Sequence, residues 1–298
     1  MEKRNYLDFD ILARIDNMQM LAKVVVEGFL LGLHRSPYRG FSVEFAEYRQ
    51  YSPGDEIRHI DWKVYGKTDR FYIKQFEEET NLTCYILLDA SASMGFKGKE
   101  DGLSKLEYGC YLTACLSYFM MRQRDATGLM IFDDKVRTVL PPRLRQTHLR
   151  RILSELENCQ PGGDTNIGRP MHDLAESMKR RGLIVLISDL MDSAEGVLSA
   201  LQHFRFIGHD IIVFHVMDSA ELTLPYDTMT EFTDLETRQK MLVSPEGIRS
   251  AYLAEVRKFL SEYEKGCADV NADYKLFDTT KPLELALSEY LFRRSRLG

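Results

Sequence analysis

The chain has 298 residues, of which 44% are hydrophobic and 28% charged. That is enough for about two average domains, and the ordinary globular composition excludes the disordered, collagen-like and disulfide-scaffold classes. With 39 basic and 45 acidic side chains the formal charge is −6, which argues against nucleic acid as a partner held through its phosphate backbone.

Along residues 10–33, Ile11, Ile15, Met18, Val25 and Phe29 recur at helical spacing, and Leu12, Leu21 and Leu33 widen the stripe. This predicts a long helix docked through one apolar face. Residues 41–51 and 70–76 are short aromatic-rich segments. Ser52-Pro53-Gly54-Asp55 between them is a turn and a candidate N-cap for a helical turn through Ile57, Ile60 and Trp62. Residues 1–80 therefore read as an N-terminal helix with a small β-rich accessory module. Within it, Arg49, Asp55, Arg58, Asp61 and Trp62 suit either a partner surface or an internal salt-bridge network.

From residue 81 onward the pattern alternates between strand and helix. Strands are expected at 82–88, 128–132, 136–140, 183–188, 210–216 and 273–278; helices are expected at 105–122, 144–158, 167–179, 194–206, 247–268 and 282–294. Such alternation makes an α/β domain, residues 81–298, with a mostly parallel sheet covered on both faces. Asp133-Asp134-Lys135 is too short for a parallel crossover, so one strand runs antiparallel. An insertion near 219–244, polar from Thr228 to Ser244, reads as a second hairpin.

The five cysteines, Cys84, Cys110, Cys115, Cys159 and Cys267, form no C-x-x-C pair and read as free core thiols of a reducing compartment. No apolar run approaches the ~18 residues that span a bilayer, and residues 1–5 lead into a charged amphipathic stretch. No membrane span and a cytoplasmic address are expected.

Chemistry concentrates after the first core strand, in Asp89-Ala90-Ser91-Ala92-Ser93. A carboxylate at a parallel strand's carboxyl end, with hydroxyls two and four residues on, sets oxygen donors at the ligand-binding edge of the sheet. Thr165, in the Gly-rich loop Pro161-Gly162-Gly163-Asp164-Thr165, and Asp189, directly after a later strand, fall at the same edge. Oxygen donors suit a hard divalent cation, Mg²⁺ first, with Mn²⁺ or Ca²⁺ open. An Asp with two Ser can also simply cap the following helix.

These five residues resemble the metal-ion-dependent adhesion site of the von Willebrand factor A domain, with its D-x-S-x-S motif, a later Thr and a later Asp. The resemblance implies a Rossmann-like von Willebrand A-like fold and a metal set of Asp89, Ser91, Ser93, Thr165 and Asp189, the last acting through water. Gly32-Leu33-His34-Arg35-Ser36, Glu44-Phe45-Ala46-Glu47-Tyr48-Arg49, Tyr51-Ser52-Pro53-Gly54-Asp55-Glu56-Ile57-Arg58 and Ile60-Asp61-Trp62-Lys63 look like the bacterial family of unknown function numbered fifty-eight, which is usually associated with MoxR-type AAA+ ATPases. The implied function is a noncatalytic, metal-dependent protein-binding adaptor. It would work with such an ATPase or its client in assembly, maturation or stress handling, and the partner would contribute an acidic side chain. A metal-dependent hydrolase and a metal-free scaffold are the alternatives.

Other motifs carry less. Gly66-Lys67-Thr68 lacks the first glycine of a P-loop, Ser91 and Ser93 lie in no G-x-S-x-G, and the seven histidines show no H-E-x-x-H spacing. The basic cluster of Lys135, Arg137, Arg143, Arg145, Arg150 and Arg151 has no interleaved aromatics, so it suits a solvated helix face or an acidic protein more than RNA.

Overall fold

The computed structural model describes residues 17–34, 48–50, 65–66, 71–74, 82–163, 167–178, 181–235, 238–283 and 288. The chain divides into two compact units, one of residues 30–81 and one of residues 1–29 with 82–298. In the smaller unit, β1 (Tyr48–Gln50) and β2 (Tyr72–Lys74) pair antiparallel, one strand from each predicted aromatic segment. The predicted helical turn through Ile57, Ile60 and Trp62, and the cluster's Asp55, Arg58 and Asp61, lie outside the described residues.

Helix α1 (Met18–His34) starts at Asn17, whose side chain accepts the Met20 amide at 2.9 Å, as an N-cap does. Met18, Leu21 and Val25 of the predicted stripe are buried, and Ala22 and Val26 are buried beside them. The Tyr118 hydroxyl donates to Glu27 at 3.3 Å. The predicted start of this helix, residues 10–16, lies outside the described residues.

The core is a six-stranded sheet in the order β10-β7-β6-β3-β4-β5. Its strands are β3 (Thr83–Asp89), β4 (Ala126–Phe132), β5 (Val136–Arg143), β6 (Leu183–Ser188), β7 (Asp210–Met217) and β10 (Asp273–Asp278). All neighbours are parallel except β4 and β5, which form the predicted hairpin around Asp133-Asp134-Lys135. Every residue of β6 is buried, and its unbroken Leu-Ile-Val-Leu-Ile run is what a strand covered on both faces requires. Strand β5 continues past its predicted end through Pro141 and Pro142. Proline removes a ladder donor, and β5 tolerates two because it is an edge strand.

Leu87, Leu186 and Val213 pack against α4 (Gly168–Ser177), α5 (Ala194–Ile207) and α7 (Pro245–Asp269). The opposite face, with Leu88 and Ile187, receives α2 (Lys105–Arg122); a Cβ on Gly109 would come within 3.0 Å of Leu88. The glycine lets helix and sheet approach closely. Ser104 and Glu107 close a capping box at the start of α2, an arrangement worth about 1 kcal/mol. Helix α3 (Gln146–Glu157) buries Leu149, Ile152, Leu153 and Leu156. Between β7 and α7 come the short helix α6 (Ser219–Thr223) and the predicted second hairpin, β8 (Thr230–Thr233) with β9 (Lys240–Val243). The predicted terminal helix lies almost wholly outside the described residues.

Candidate metal centre

Strand β3 leads to β4 on one side, while β6 lies on its other side. The loops leaving the carboxyl ends of β3 and β6 therefore diverge and open a crevice, the usual ligand position of an open α/β sheet. Asp89 ends β3 and Asp189 directly follows β6. Parallel register pairs Leu88 with Ile187, which brings Asp89 beside Ser188.

Asp89 is fully buried. Its Oδ2 accepts the Ser188 hydroxyl at 2.6 Å and its Oδ1 accepts the Ser91 amide at 2.9 Å. The second bond is an Asx-type turn that carries the chain over the strand end into the 3₁₀ turn Ser93–Gly95. Among the described residues no Lys or Arg forms a salt bridge with Asp89. Burial, and then the charge of Asp189, push its carboxyl up to about 7, against the pull of the Ser188 and Ser91 bonds. The Ser91 and Ser93 hydroxyls are hydrogen-bonded to each other at 3.1 Å, and either oxygen can donate. Adjacent oxygens around an octahedral Mg²⁺ are separated by about 3.0 Å, given bonds of ~2.1 Å. This hydroxyl pair beside a buried carboxylate fits a hard cation.

The turn is laced to the Gly-rich loop by two backbone bonds, Gly162 N–H to Ala90 O at 3.0 Å and Ala92 N–H to Gly163 O at 3.1 Å. Gly163 has φ +75°, and a Cβ there would lie 2.5 Å from Asp133 Oδ2, so glycine is required on both counts. Arg137 holds the loop from the β4–β5 hairpin. Its guanidinium donates to Asp133 Oδ2 and Gln160 O, each at 2.6 Å, and also to Gly162 O.

Lys105, the first residue of α2, is the unexpected member of the site. Only 1% exposed, it donates from Nζ to Asp189 Oδ2 at 2.8 Å and to Glu221 Oε1 at 2.6 Å. Burial alone would drive this ammonium's pKa down, but the Asp189 and Glu221 carboxylates outweigh it and hold the group above the ordinary lysine value. Asp189 Oδ1 accepts the Met191 amide at 3.2 Å, and Glu221 Oε2 accepts the Asp218 amide at 2.9 Å, completing the capping box of α6. Asp218 in turn accepts the amides of Ala220 at 2.7 Å and Gly98 at 3.1 Å. On β7, His215 pairs in register with Ser188 and meets the Tyr274 hydroxyl at 2.7 Å. Burial lowers its imidazole to about 4, so it is neutral at pH 7.

Asp89, Ser91, Ser93 and Asp189 thus gather at one strand edge, while Thr165 lies outside the described residues, beyond Gly163. Among the described residues no three His, Cys, Asp or Glu side chains are grouped to hold a metal, so an ion here depends on the serine hydroxyls. Sequence reasoning missed Lys105 and Glu221. A lysine in a helix's first turn opposes the helix dipole, and that misfit was the available signal for Lys105. The Asp218-x-x-Glu221 capping pattern was the signal for Glu221.

The family described as "Protein of unknown function DUF58" matches residues 47–260. The uncharacterized protein Rv1480 of Mycobacterium tuberculosis is 24% identical over 223 residues, 73% of this chain and 68% of that one. Among solved structures, the conserved hypothetical protein BatB from Bacteroides thetaiotaomicron gives a TM-score of 0.49 at 18% identity, covering 72% of this chain and 99% of that one. An aerotolerance-related membrane protein from Bacteroides fragilis gives 0.46 at 20%, covering 70% and 97%. The von Willebrand A domain of SpRpn10 gives 0.41 at 10%, covering 70% and 94%. The architecture, a mostly parallel sheet with one antiparallel edge strand, is the one the sequence resemblance implies.

The cytoplasmic address expected from the sequence is corrected by this comparison, because the Bacteroides fragilis protein is described as a membrane protein. No helix among the described residues is long and apolar enough to cross a membrane. That property says how these residues fold and carries no mark of compartment, which is why the expectation failed.

Proposed function

Because this chain belongs to the DUF58 family, whose von Willebrand A-like fold suits protein interaction, we propose that it is a noncatalytic adaptor that binds a partner protein through a divalent ion. Asp89, Ser91 and Ser93 would hold the ion, with Thr165 from the Gly-rich loop and Asp189 through water. When bound, Mg²⁺ or Mn²⁺ supplies an open coordination position for a partner's Asp or Glu. A MoxR-type AAA+ ATPase or its client is the proposed partner, on the resemblance described above.

The supporting observation is Asp89 itself, a fully buried carboxylate with no described basic partner, beside two hydroxyls at octahedral spacing. A buried charge is costly unless compensated, and a cation in the crevice would compensate it.

The test is a pull-down with the purified protein in Mg²⁺ and again in EDTA, alongside phosphatase and peptidase assays with added Mn²⁺. Partner capture lost in EDTA and no turnover are expected. Capture undiminished in EDTA, or metal-dependent turnover, would contradict the adaptor reading.

A further inference from the structure

We propose that Lys105 and Glu221 set how far Asp189 is available to this metal centre, the ammonium engaging Asp189 so that an ion held at Asp89 accepts a carboxylate as its outer ligand. The inference rests on the metal reading above and adds the residues that would make the site selective for an acidic partner.

Both Asp189 oxygens are engaged, Oδ2 by the Lys105 ammonium at 2.8 Å and Oδ1 by the Met191 amide at 3.2 Å. Asp189 therefore offers an ion much less than a full negative charge. Lys105 and Glu221 cancel each other, so Asp89, Asp189 and a divalent ion sum to neutrality with or without the pair. What the pair changes is local: with the ammonium on Asp189, the ion faces one unengaged carboxylate, Asp89, against two positive charges, and its open position favours a partner's carboxylate.

Stability does not account for the arrangement. Lys105 is only 1% exposed at the first position of a helix, where both desolvation and the helix dipole oppose it. Buried ion pairs of this type stabilise little more than apolar residues of the same shape. What the lysine changes is the field at the crevice.

The discriminating variant is the charge-neutral pair Lys105→Met with Glu221→Gln, which frees Asp189 without altering the net charge. Mn²⁺ titrated calorimetrically into the wild type and the double variant, with and without acetate as the carboxylate probe, reads both effects. The double variant should bind Mn²⁺ about tenfold more tightly, and acetate should strengthen Mn²⁺ binding to the wild type only. Glu221→Gln alone, which leaves the whole ammonium on Asp189, should weaken Mn²⁺ several-fold; it decides the matter if the double variant does not fold. Wild-type binding with unchanged or weaker affinity in the double variant, or with no loss in Glu221→Gln, overturns this inference and leaves the metal reading standing. No Mn²⁺ binding by any of the folded proteins overturns both.

Discussion

The Ser188 hydroxyl reaches across the β3–β6 boundary to Asp89 Oδ2 at 2.6 Å, so one lobe of the carboxylate is fixed by the sheet and the other by the Ser91 turn. The same hydroxyl accepts the Leu190 amide at 2.9 Å, where the chain enters a left-handed conformation with φ 55°. One serine therefore orients the central carboxylate and shapes the turn carrying Asp189.

Ser188→Ala should remove both bonds. Loss of the charge-stabilising donor leaves Asp89 more inclined to hold a proton, and a metal must displace that proton. Mn²⁺ affinity at neutral pH should fall roughly tenfold, with a stability loss of about 1–3 kcal/mol. Calorimetry and urea denaturation measure the two effects; an unchanged Mn²⁺ affinity would show that Ser188 does not act through Asp89.

Arg137→Met should loosen the Gly-rich loop by removing three donors, to Asp133, Gln160 O and Gly162 O. The side chain is about one-quarter exposed, so the expected loss is modest, about 1 kcal/mol. Amide exchange at Ala92, which donates to Gly163 O, should quicken while the β6 amides keep their protection. Equal exchange at Ala92 in both proteins would remove Arg137 from the account of the loop.

Acid should act through His215, whose surroundings include Asp189, Lys105 and Tyr274. Its folded value of about 4 lies below the ordinary 6.5, so the unfolded chain binds the extra proton first. The associated stability is complete above about pH 6.5 and is lost as pH falls toward 4. Asp89, raised to about 7, works in the opposite sense: its contribution is present below about pH 4 and fades as pH rises through 7. Subtracting the stability curve of His215→Asn from the wild type isolates the histidine, and the wild type should lose up to about 3 kcal/mol relative to the variant between pH 6.5 and 4. A flat difference curve would show that the imidazole is not held neutral by the fold.

Much of this architecture is legible because its physical causes are local. Strand β6 announces itself as an apolar run, the β4–β5 reversal follows from a three-residue connection, and α1 follows from its stripe. Strand β5 runs longer than its sequence suggests, because proline reads as a stop until the strand is known to be an edge. Helix α7 begins at Pro245 rather than 247, since proline suits a helix's first turn. In the site, Asp89, Ser91, Ser93 and Asp189 are readable from their places after strands. The Lys105–Glu221 contact is not, because it joins residues 116 positions apart, and a lysine in a helix's first turn ordinarily reads as solvated. Its meaning exists only once α2 and α6 meet over the ends of β6 and β7.

Calorimetric titration of Mn²⁺ into the wild type and Asp89→Ala, with near-UV circular dichroism to establish that the variant is folded, decides whether Asp89 holds an ion. Saturable binding of one ion per wild-type chain and no binding to Asp89→Ala, with the tertiary signal retained, are expected. Equal affinity in the two folded proteins would contradict this and place any bound metal elsewhere.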